Sequence, residues 1–180
     1  MKPKRLWGVM GKMGSGKDAV TDYLQDQGWN EIGMGDIIRS IAAERGIEPA
    51  RDNLDKIQNE YAEKYGKGFL GKIVCDKIKE SEYENIVVNG LRRPEDVLEL
   101  EKEYDVLFIG VDADPEIRFE RMAKRGRVGD PKTYDDFLRM DENQNRIFGI
   151  DEAFGKTDVV IYNNGSLENL RKKVDKLLNG

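Results

Sequence analysis

The residues best suited to chemistry lie near the start of the chain, in the run Gly-Lys-Met-Gly-Ser-Gly-Lys-Asp at positions 11–18. The spacing Gly-x-x-x-x-Gly-Lys is typical of a phosphate-binding loop, whose backbone N–H groups surround an anion while the lysine reaches the outer phosphates of ATP. An apolar run, expected to be a strand, precedes the loop, and an amphipathic segment, expected to be a helix, follows it. The positive end of that helix's dipole would then also attract the phosphate. The residues predicted to bind ATP are Gly11, Gly14, Ser15, Gly16, Lys17, Asp18 and Ala19, with Asn164 from a later loop.

The loop departs from the usual pattern at Asp18, where a hydroxyl residue is expected. In related loops that hydroxyl and a separate carboxylate hold Mg²⁺. Here the loop itself carries the carboxylate, and the third predicted strand ends in an amide, Asn89. Two interpretations are open. Either Asp18 contacts Mg²⁺ directly or through water while Asn89 orients a coordinated water, or Asp18 only favours the start of the helix.

Arginines form the second chemical signal. Phosphoryl transfer relies on cations that neutralise charge spread over several oxygens, and the planar arginine fork suits this work. Together with Lys17, the arginines predicted to act in such a site are Arg39, Arg92, Arg93, Arg121, Arg125 and Arg127. Arg118, although it lies on the same helical face as Arg121, is interpreted as a solvated surface residue. Asp141 is interpreted as part of a solvated helix face or a cap, although it follows the lid and could help to close it.

Composition excludes several classes of protein. The chain has 180 residues, a net charge of −5, no histidine and one cysteine. Imidazole chemistry, histidine metal sites and an internal disulfide are therefore excluded, and Cys75 is expected to be a buried, inert thiol. The acidic balance gives no support for nucleic-acid binding. No apolar run approaches the ~20 residues of a membrane span, so we expect a cytoplasmic protein without a membrane partner.

Strand and helix patterns alternate along the chain and predict an α/β fold of one domain, 1–180. The expected strands are 6–10, 29–34, 86–88, 106–111 and 159–162, with helices at 19–27, 37–45, 53–64, 69–81, 95–103, 115–125, 134–148 and 167–177. The polar motifs follow the strands directly. Because ligands bind beyond the carboxyl ends of parallel strands, these motifs are expected to meet at one edge of a five-stranded parallel sheet.

Three motifs resemble the P-loop class of nucleoside monophosphate kinases. Residues 34–39, Met-Gly-Asp-Ile-Ile-Arg, are similar to their Thr-Gly-Asp-x-x-Arg, and 89–93, Asn-Gly-Leu-Arg-Arg, to their Asp-Gly-Phe-Pro-Arg. Residues 121–127 resemble the arginine-bearing flank of their lid. The chain is most similar to an archaeal group related to adenylate kinases and dephospho-CoA kinases. Its Ser-Gly-Lys-Asp loop also resembles that of deoxynucleoside monophosphate kinases and phosphomevalonate kinases.

The resemblance implies a three-layer P-loop NTPase fold and a division of labour across the site. The loop would hold ATP and Mg²⁺, while Arg39 and either Arg92 or Arg93 would hold the phosphate of a small acceptor. Residues 36–81 would form a helical acceptor-binding insertion and 126–133 a lid. The lid arginines, Arg121, Arg125 and Arg127, would close over the donor, and Arg121 could stack on its base.

Several alternatives remain open at this point. The acceptor could be a nucleotide phosphate, or a hydroxyl whose proton Asp36 accepts, and Asp36 could equally be the N-cap of the following helix. A nucleotide-dependent switch or regulatory ATPase would use the same loop without needing acceptor arginines. The sequence does not identify the base of the acceptor. It also leaves open whether the protein is a monomer or a homodimer.

Overall fold

A computed structural model describes residues 3–127 and 129–180. Residues 1 and 2 of the predicted domain and residue 128 of the predicted lid lie outside this range. The strands are β1 Arg5–Met10, β2 Asn30–Gly33, β3 Asn85–Leu91, β4 Leu107–Asp112 and β5 Val159–Tyr162. The helices are α1 Lys17–Asp26, α2 Met34–Glu44, α3 Arg51–Tyr65, α4 Phe69–Glu80, α5 Pro94–Glu103, α6 Pro115–Arg125, α7 Tyr134–Phe148, α8 Ile150–Phe154 and α9 Leu167–Asn179.

The strands form one five-stranded sheet in the order β2-β3-β1-β4-β5, and every neighbouring pair is parallel. Side chains alternate between its two faces. On β1, Leu6 and Met10 join a core with α2, α3, α4 and α5, whereas Trp7 and Val9 join a second core with α1 and α9. The result is the predicted three-layer architecture, with all strands pointing their carboxyl ends to one edge.

Helices α2, α3 and α4 follow one another between β2 and β3, in the stretch where the sequence analysis expects a helical insertion at residues 36–81. The segment begins earlier than predicted, because Met34 opens α2 instead of closing β2. Met34 is apolar and buried in either assignment, so its hydrophobicity alone does not separate a strand end from a helix start. Helix α8 was not predicted, because its five residues are too few to show a helical repeat.

The phosphate-loop backbone depends on two glycines. Gly14 and Gly16 have φ values of 75° and 98°, in the left-handed region that disfavours other residues. A Cβ atom on Gly14 would also lie 2.5 Å from the carbonyl oxygen of Arg118 on α6. The loop therefore needs glycine both for its turn and for its close contact with α6.

Within the described ranges, no helix is long and apolar enough to cross a bilayer.

Candidate active site

A cleft of about 700 Å³ opens at the carboxyl edge of the sheet, between the phosphate loop, the helical insertion and the end of α6. Most of the residues selected from the sequence line it. They are Gly14, Gly16, Lys17, Asp18, Asp36, Arg39, Asn89, Arg92, Arg121, Arg125 and Arg127. Five selected residues do not line it, namely Gly11, Ser15, Ala19, Arg93 and Asn164. The fold therefore gathers the strand-end motifs in one place, as parallel-sheet geometry requires.

Lys17 is the central cation of the loop. Its Nζ lies 3.3 Å from an oxygen of Asp18, and burial lowers the pKa of Lys17, with nearby Arg92 and Arg125 adding to that effect while Asp18 opposes it. Gly16 precedes α1 as its N-cap without a side-chain hydrogen bond to the first turn. A half-buried ammonium group and the free N–H groups of a helix start thus face the same cleft, which is the arrangement an anion needs.

Two residues of the loop motif act from behind the cleft. Ser15 is fully buried, and its Oγ has no hydrogen-bond partner among the described residues. Gly11 packs against β4, where a Cβ atom would lie 2.4 Å from the carbonyl oxygen of Val111. Both positions shape the loop, although neither faces the cleft.

Arg121 and Asn163 bind the loop backbone. Arg121 donates to the carbonyl oxygens of Gly14 (3.4 Å), Ser15 (3.3 Å) and Asn163 (2.7 Å). The side chain of Asn163 donates to the carbonyl of Ser15 at 2.9 Å. The residue selected from the sequence, Asn164, instead accepts from the N–H of Asp114 outside the cleft. The two asparagines are adjacent, and only their contacts show which one touches the loop.

The interpretation of Arg118 as a surface residue is wrong. Its exposed fraction is 3%, and it forms a bidentate pair with Asp141 at 2.7 and 2.8 Å. It also donates to the carbonyl of Met13 and lies over the ring of Phe137. Asp141 is likewise not a solvated residue or a cap. The cause is the packing of α7 on α6, which encloses a helix face that the charge pattern alone marks as solvated.

Asp130 contacts two of the three predicted lid arginines, Arg125 and Arg127. Arg125 donates to it at 3.1 and 2.6 Å, the N–H of Arg127 donates at 3.0 Å, and an Nη of Arg51 lies 3.8 Å away. Burial alone would raise the pKa of Asp130, but the hydrogen bonds from Arg125 and Arg127 and the positive charges around it lower that pKa overall. Asp130 is therefore an anion that organises cations at the end of α6.

Arg92 and Arg93 point in different directions. Arg92 lines the cleft and donates to Oε1 of Gln144 at 3.4 Å. Arg93, with an exposed fraction of 5%, donates to Oδ1 of Asn59 at 2.9 Å and to the carbonyl of Ile147 at 3.4 Å. The sequence left the choice between the two arginines open, and the structure places only Arg92 in the cleft.

Asp36 and Arg39 pair with each other on the first turns of α2, and both side chains are exposed to the cleft. The N-cap interpretation of Asp36 is wrong, because α2 begins at Met34 and Gly33 is its N-cap. Asp36 instead lies in the first helical turn, where a carboxylate is favoured by the helix dipole.

Asn89, near the end of β3, links two carboxylates, Asp18 of the phosphate loop and Glu31 of β2. Its Nδ2 contacts Glu31 at 2.8 Å, Thr21 at 3.2 Å and Asp18 at 3.4 Å. Glu31 was missed in the sequence, because a charged residue inside a short strand carries no motif. Burial raises the pKa of Glu31, and the negative charges of neighbouring acids raise it further, whereas the hydrogen bond from Asn89 lowers it. For Asp18, burial acts in the same direction, but the charge of Lys17 and the bonds from Asn89 and Lys17 lower its pKa overall.

These contacts test how the chain would fit Mg²⁺. Asp18 offers an ionised, half-exposed carboxylate whose contacts to Lys17 and Asn89 are long, which suits a hard cation. A coordinated water would donate to Oδ1 of Asn89, which has no hydrogen-bond partner among the described residues but is buried away from the cleft's solvent. Across 3–127 and 129–180, no group of three or more His, Cys, Asp or Glu side chains could hold a metal. The residues fit an ion held by Asp18, waters and ligand phosphates.

Asp96 is a further buried acid beside the cleft that carried no sequence signal. Its exposed fraction is 1%, and Oδ1 accepts from the N–H of Gly71 at 2.9 Å. Burial raises the pKa of Asp96 to about 7, although that hydrogen bond and the charge of Arg93 act against the rise. The carboxyl joins the start of α5 to α4 and so fixes the far wall of the insertion.

Comparison with known proteins identifies two families that this chain matches. Residues 8–146 match the family model described as AAA domain. A UPF0200 protein of Hyperthermus butylicus is 32% identical over 170 residues, which cover 94% of this chain and 91% of that protein. The chain belongs to both families.

Solved structures confirm the fold class. Thermus thermophilus TT1252 aligns with a TM-score of 0.66 and 19% identity, covering 99% of this chain and 98% of that chain. Shikimate kinase from Bacteroides thetaiotaomicron aligns with a TM-score of 0.65 and 12% identity, covering 98% and 99%. At these identities the likeness concerns the fold, which is the three-layer P-loop kinase fold with a five-stranded parallel sheet.

Proposed function

We propose that this UPF0200 chain transfers the terminal phosphoryl group of ATP to a small phosphorylated acceptor, a nucleoside or deoxynucleoside monophosphate. The observation that carries the proposal is the position of Arg92, an enclosed guanidinium that faces the same cleft as Lys17. Within the described chain, no carboxylate lies within ion-pair distance of Arg92. Burial lowers the pKa of Arg92, so the cleft holds a desolvated positive charge that an anion would stabilise.

The charges of the cleft divide into a donor side and an acceptor side. The loop and Lys17 would bind the outer phosphates of ATP, with Arg125 and Arg127 above them. Arg92 and Arg39 would bind the acceptor phosphate, and Arg51 lies between the two sides near Asp130. Arg121 would act indirectly, by holding the loop carbonyls. A site with cations on both sides of the transfer point suits two anionic substrates.

The reaction needs little covalent help from the chain. An acceptor phosphate oxygen forms a bond to the γ-phosphorus of ATP, the bond from that phosphorus to the bridging oxygen breaks, and ADP leaves. Because the attacking oxygen is already anionic, the step needs no general base, in keeping with the absence of histidine from the sequence. Bound Mg²⁺ would neutralise phosphate charge, and Asp18 is the residue that would hold it.

A coupled assay for ADP release tests the proposal with purified protein, ATP and Mg²⁺. The acceptor panel contains AMP, CMP, UMP, GMP, their deoxy forms, phosphomevalonate and dephospho-CoA. We expect rapid turnover with at least one nucleoside monophosphate and none without an acceptor. Turnover with dephospho-CoA alone would instead support a hydroxyl acceptor with Asp36 as base. ATP hydrolysis that no acceptor changes would overturn the proposal in favour of a switch or regulatory ATPase.

A further inference from the structure

The C-terminal part of α7 forms a joint with the tandem arginines and with α3. The ring of Phe148 lies under both guanidinium groups, 5.4 Å from Arg92 and 4.9 Å from Arg93. Arg93 is anchored to Asn59 on α3 and to the carbonyl of Ile147 on α7. This joint connects the helix that follows the predicted lid with the predicted acceptor-binding insertion.

Gln144 occupies the polar centre of this joint. Its exposed fraction is 3%, its Nε2 donates to Oδ2 of Asp55 at 2.7 Å, and its Oε1 accepts from Arg92 at 3.4 Å. Asp55 lines the same cleft, and it is the strongest charge that counteracts the effect of burial on the pKa of Arg92. The neutral amide therefore lies between an acid and a cation that are close enough to attract each other.

We propose that Gln144 is a positioning residue that keeps the charge of Arg92 available to the acceptor, an inference that rests on the proposed function. An amide can donate to Asp55 and accept from Arg92 at once, so it satisfies both partners without adding charge. A direct bidentate pair between Asp55 and Arg92 would cancel the positive charge that an acceptor phosphate needs. By engaging Asp55, Gln144 prevents that competing pair and fixes the direction of the guanidinium.

The same joint supplies a matched control. Asn59 also carries a neutral amide, whose oxygen accepts a hydrogen bond from Arg93, and Arg93 lies outside the cleft. If the amides of this joint served only packing, removal of either would affect folding and leave acceptor binding alone. If Gln144 acts through Arg92, its removal affects acceptor binding and removal of the Asn59 amide does not.

The test is a double-mutant cycle with Gln144→Met, Asp55→Asn and the double variant, with Asn59→Leu as control. Loss of a hydrogen bond to a charged group is worth about 1.5–3 kcal/mol, so we expect Gln144→Met to raise the acceptor KM by roughly 10- to 100-fold. The KM for ATP should stay within about threefold, because no hydrogen bond joins Gln144 to the phosphate loop among the described residues. Adding Asp55→Asn removes the competing carboxylate, so the double variant should recover most of the loss.

The cycle has clear contrary outcomes. A double variant no better than Gln144→Met would overturn the proposal, since a purely structural amide offers nothing for Asp55→Asn to restore. Equal effects on the KM of ATP and acceptor would do the same. Gln144→Glu gives a second variant of unchanged shape whose carboxylate pairs with Arg92, and we expect its acceptor KM to rise at least as far. Denaturant unfolding of each variant separates misfolding from these effects.

A binding measurement keeps this inference separate from the proposed function. If the acceptor panel shows no transfer, calorimetry with inorganic phosphate in the presence of saturating ADP probes the Arg92 site directly. Binding to wild type that is weakened by Gln144→Met, restored by Asp55→Asn and unaffected by Asn59→Leu would support the positioning role although the kinase proposal had failed. Equal phosphate binding by wild type and Gln144→Met would overturn the role itself.

Discussion

The two sides of the cleft are built in different ways. The proposed donor side is local, because one short loop supplies the glycines, Lys17 and Asp18, and the exposed Arg125 beside it is already paired with Asp130. The proposed acceptor side is assembled from distant segments, with Arg92 enclosed between β3, α3 and α7 and without an ion pair in the described structure. The donor site is thus specified by a motif, and the acceptor site by packing.

This difference has an energetic counterpart. A local loop that uses backbone N–H groups binds phosphate of any nucleotide with little discrimination. An enclosed guanidinium without a carboxylate partner is costly until an anion arrives, so its binding energy depends on the geometry of that anion. We therefore expect substitutions on the donor side to abolish turnover generally, and those on the acceptor side to act selectively on the second substrate.

The largest expected effect is on the donor side. Lys17→Met should lower kcat by on the order of 10³-fold, because it removes the cation facing the transferred group. Lys12→Met is the matched control, since Lys12 lies in the same loop but pairs with Asp151 outside the cleft. Steady-state kinetics should show the control within about threefold of wild type. Equal losses in both variants would remove the special role of Lys17.

The next effect concerns the wall behind the acceptor side. Asp96 has a pKa of about 7 in the folded protein and an ordinary value of 3.8, so the folded state retains a proton that the unfolded chain releases. Wild-type stability should therefore fall as the pH rises from about 4 to 7. Asp96→Asn keeps an oxygen for the N–H of Gly71 and does not titrate.

Denaturant unfolding at several pH values measures this effect. Because one pKa unit corresponds to about 1.4 kcal/mol, the Asn variant should gain roughly 2–4 kcal/mol over wild type between pH 4 and pH 8. The comparison is made as a difference between the two proteins, so that other titrating groups cancel. A stability difference that is independent of pH would show that Asp96 ionises normally.

Arg92 and Arg93 give the sharpest contrast between neighbouring residues. Arg92→Met should lower kcat/KM for the acceptor by roughly 10- to 100-fold, with stability nearly unchanged, because its charge serves the ligand. Arg93→Met should instead cost about 2 kcal/mol of unfolding free energy and leave kcat/KM within threefold, since its bonds go to Asn59 and Ile147. Kinetic and unfolding measurements on both variants check the contrast, and a reversed pattern would exchange their roles.

The smallest expected effect is on the concentration of Mg²⁺ that activity requires. Asp18→Ala should raise the Mg²⁺ concentration for half-maximal activity by about tenfold, the scale found for residues that support a metal through its surroundings. Asp22→Asn is the control, as Asp22 lines the same cleft one helical turn further on. A magnesium titration that Asp18→Ala leaves unchanged would restrict Asp18 to its place at the helix start.

Agreement between sequence and structure follows the same division. The loop, the five-stranded parallel sheet and the meeting of the motifs at one edge were predicted, because they depend on local patterns and on the geometry of parallel sheets. The order of the strands in the sheet was not predicted. Helix α8 and the start of α2 were missed because short or uniformly apolar segments lack a distinct repeat. Charged residues gave the most errors, with Arg118 and Asp141 taken as solvated.

The sequence by itself determined that a phosphate loop opens an α/β domain and that arginines follow its strands. Those properties reside in residue types and spacings within a few turns of chain. Only the tertiary structure decided that Arg92 faces the cleft and Arg93 the core, that Asn163 rather than Asn164 holds the loop, and that Gln144 separates Asp55 from Arg92. Each of these depends on which distant helix packs against the side chain, and no local pattern encodes that contact.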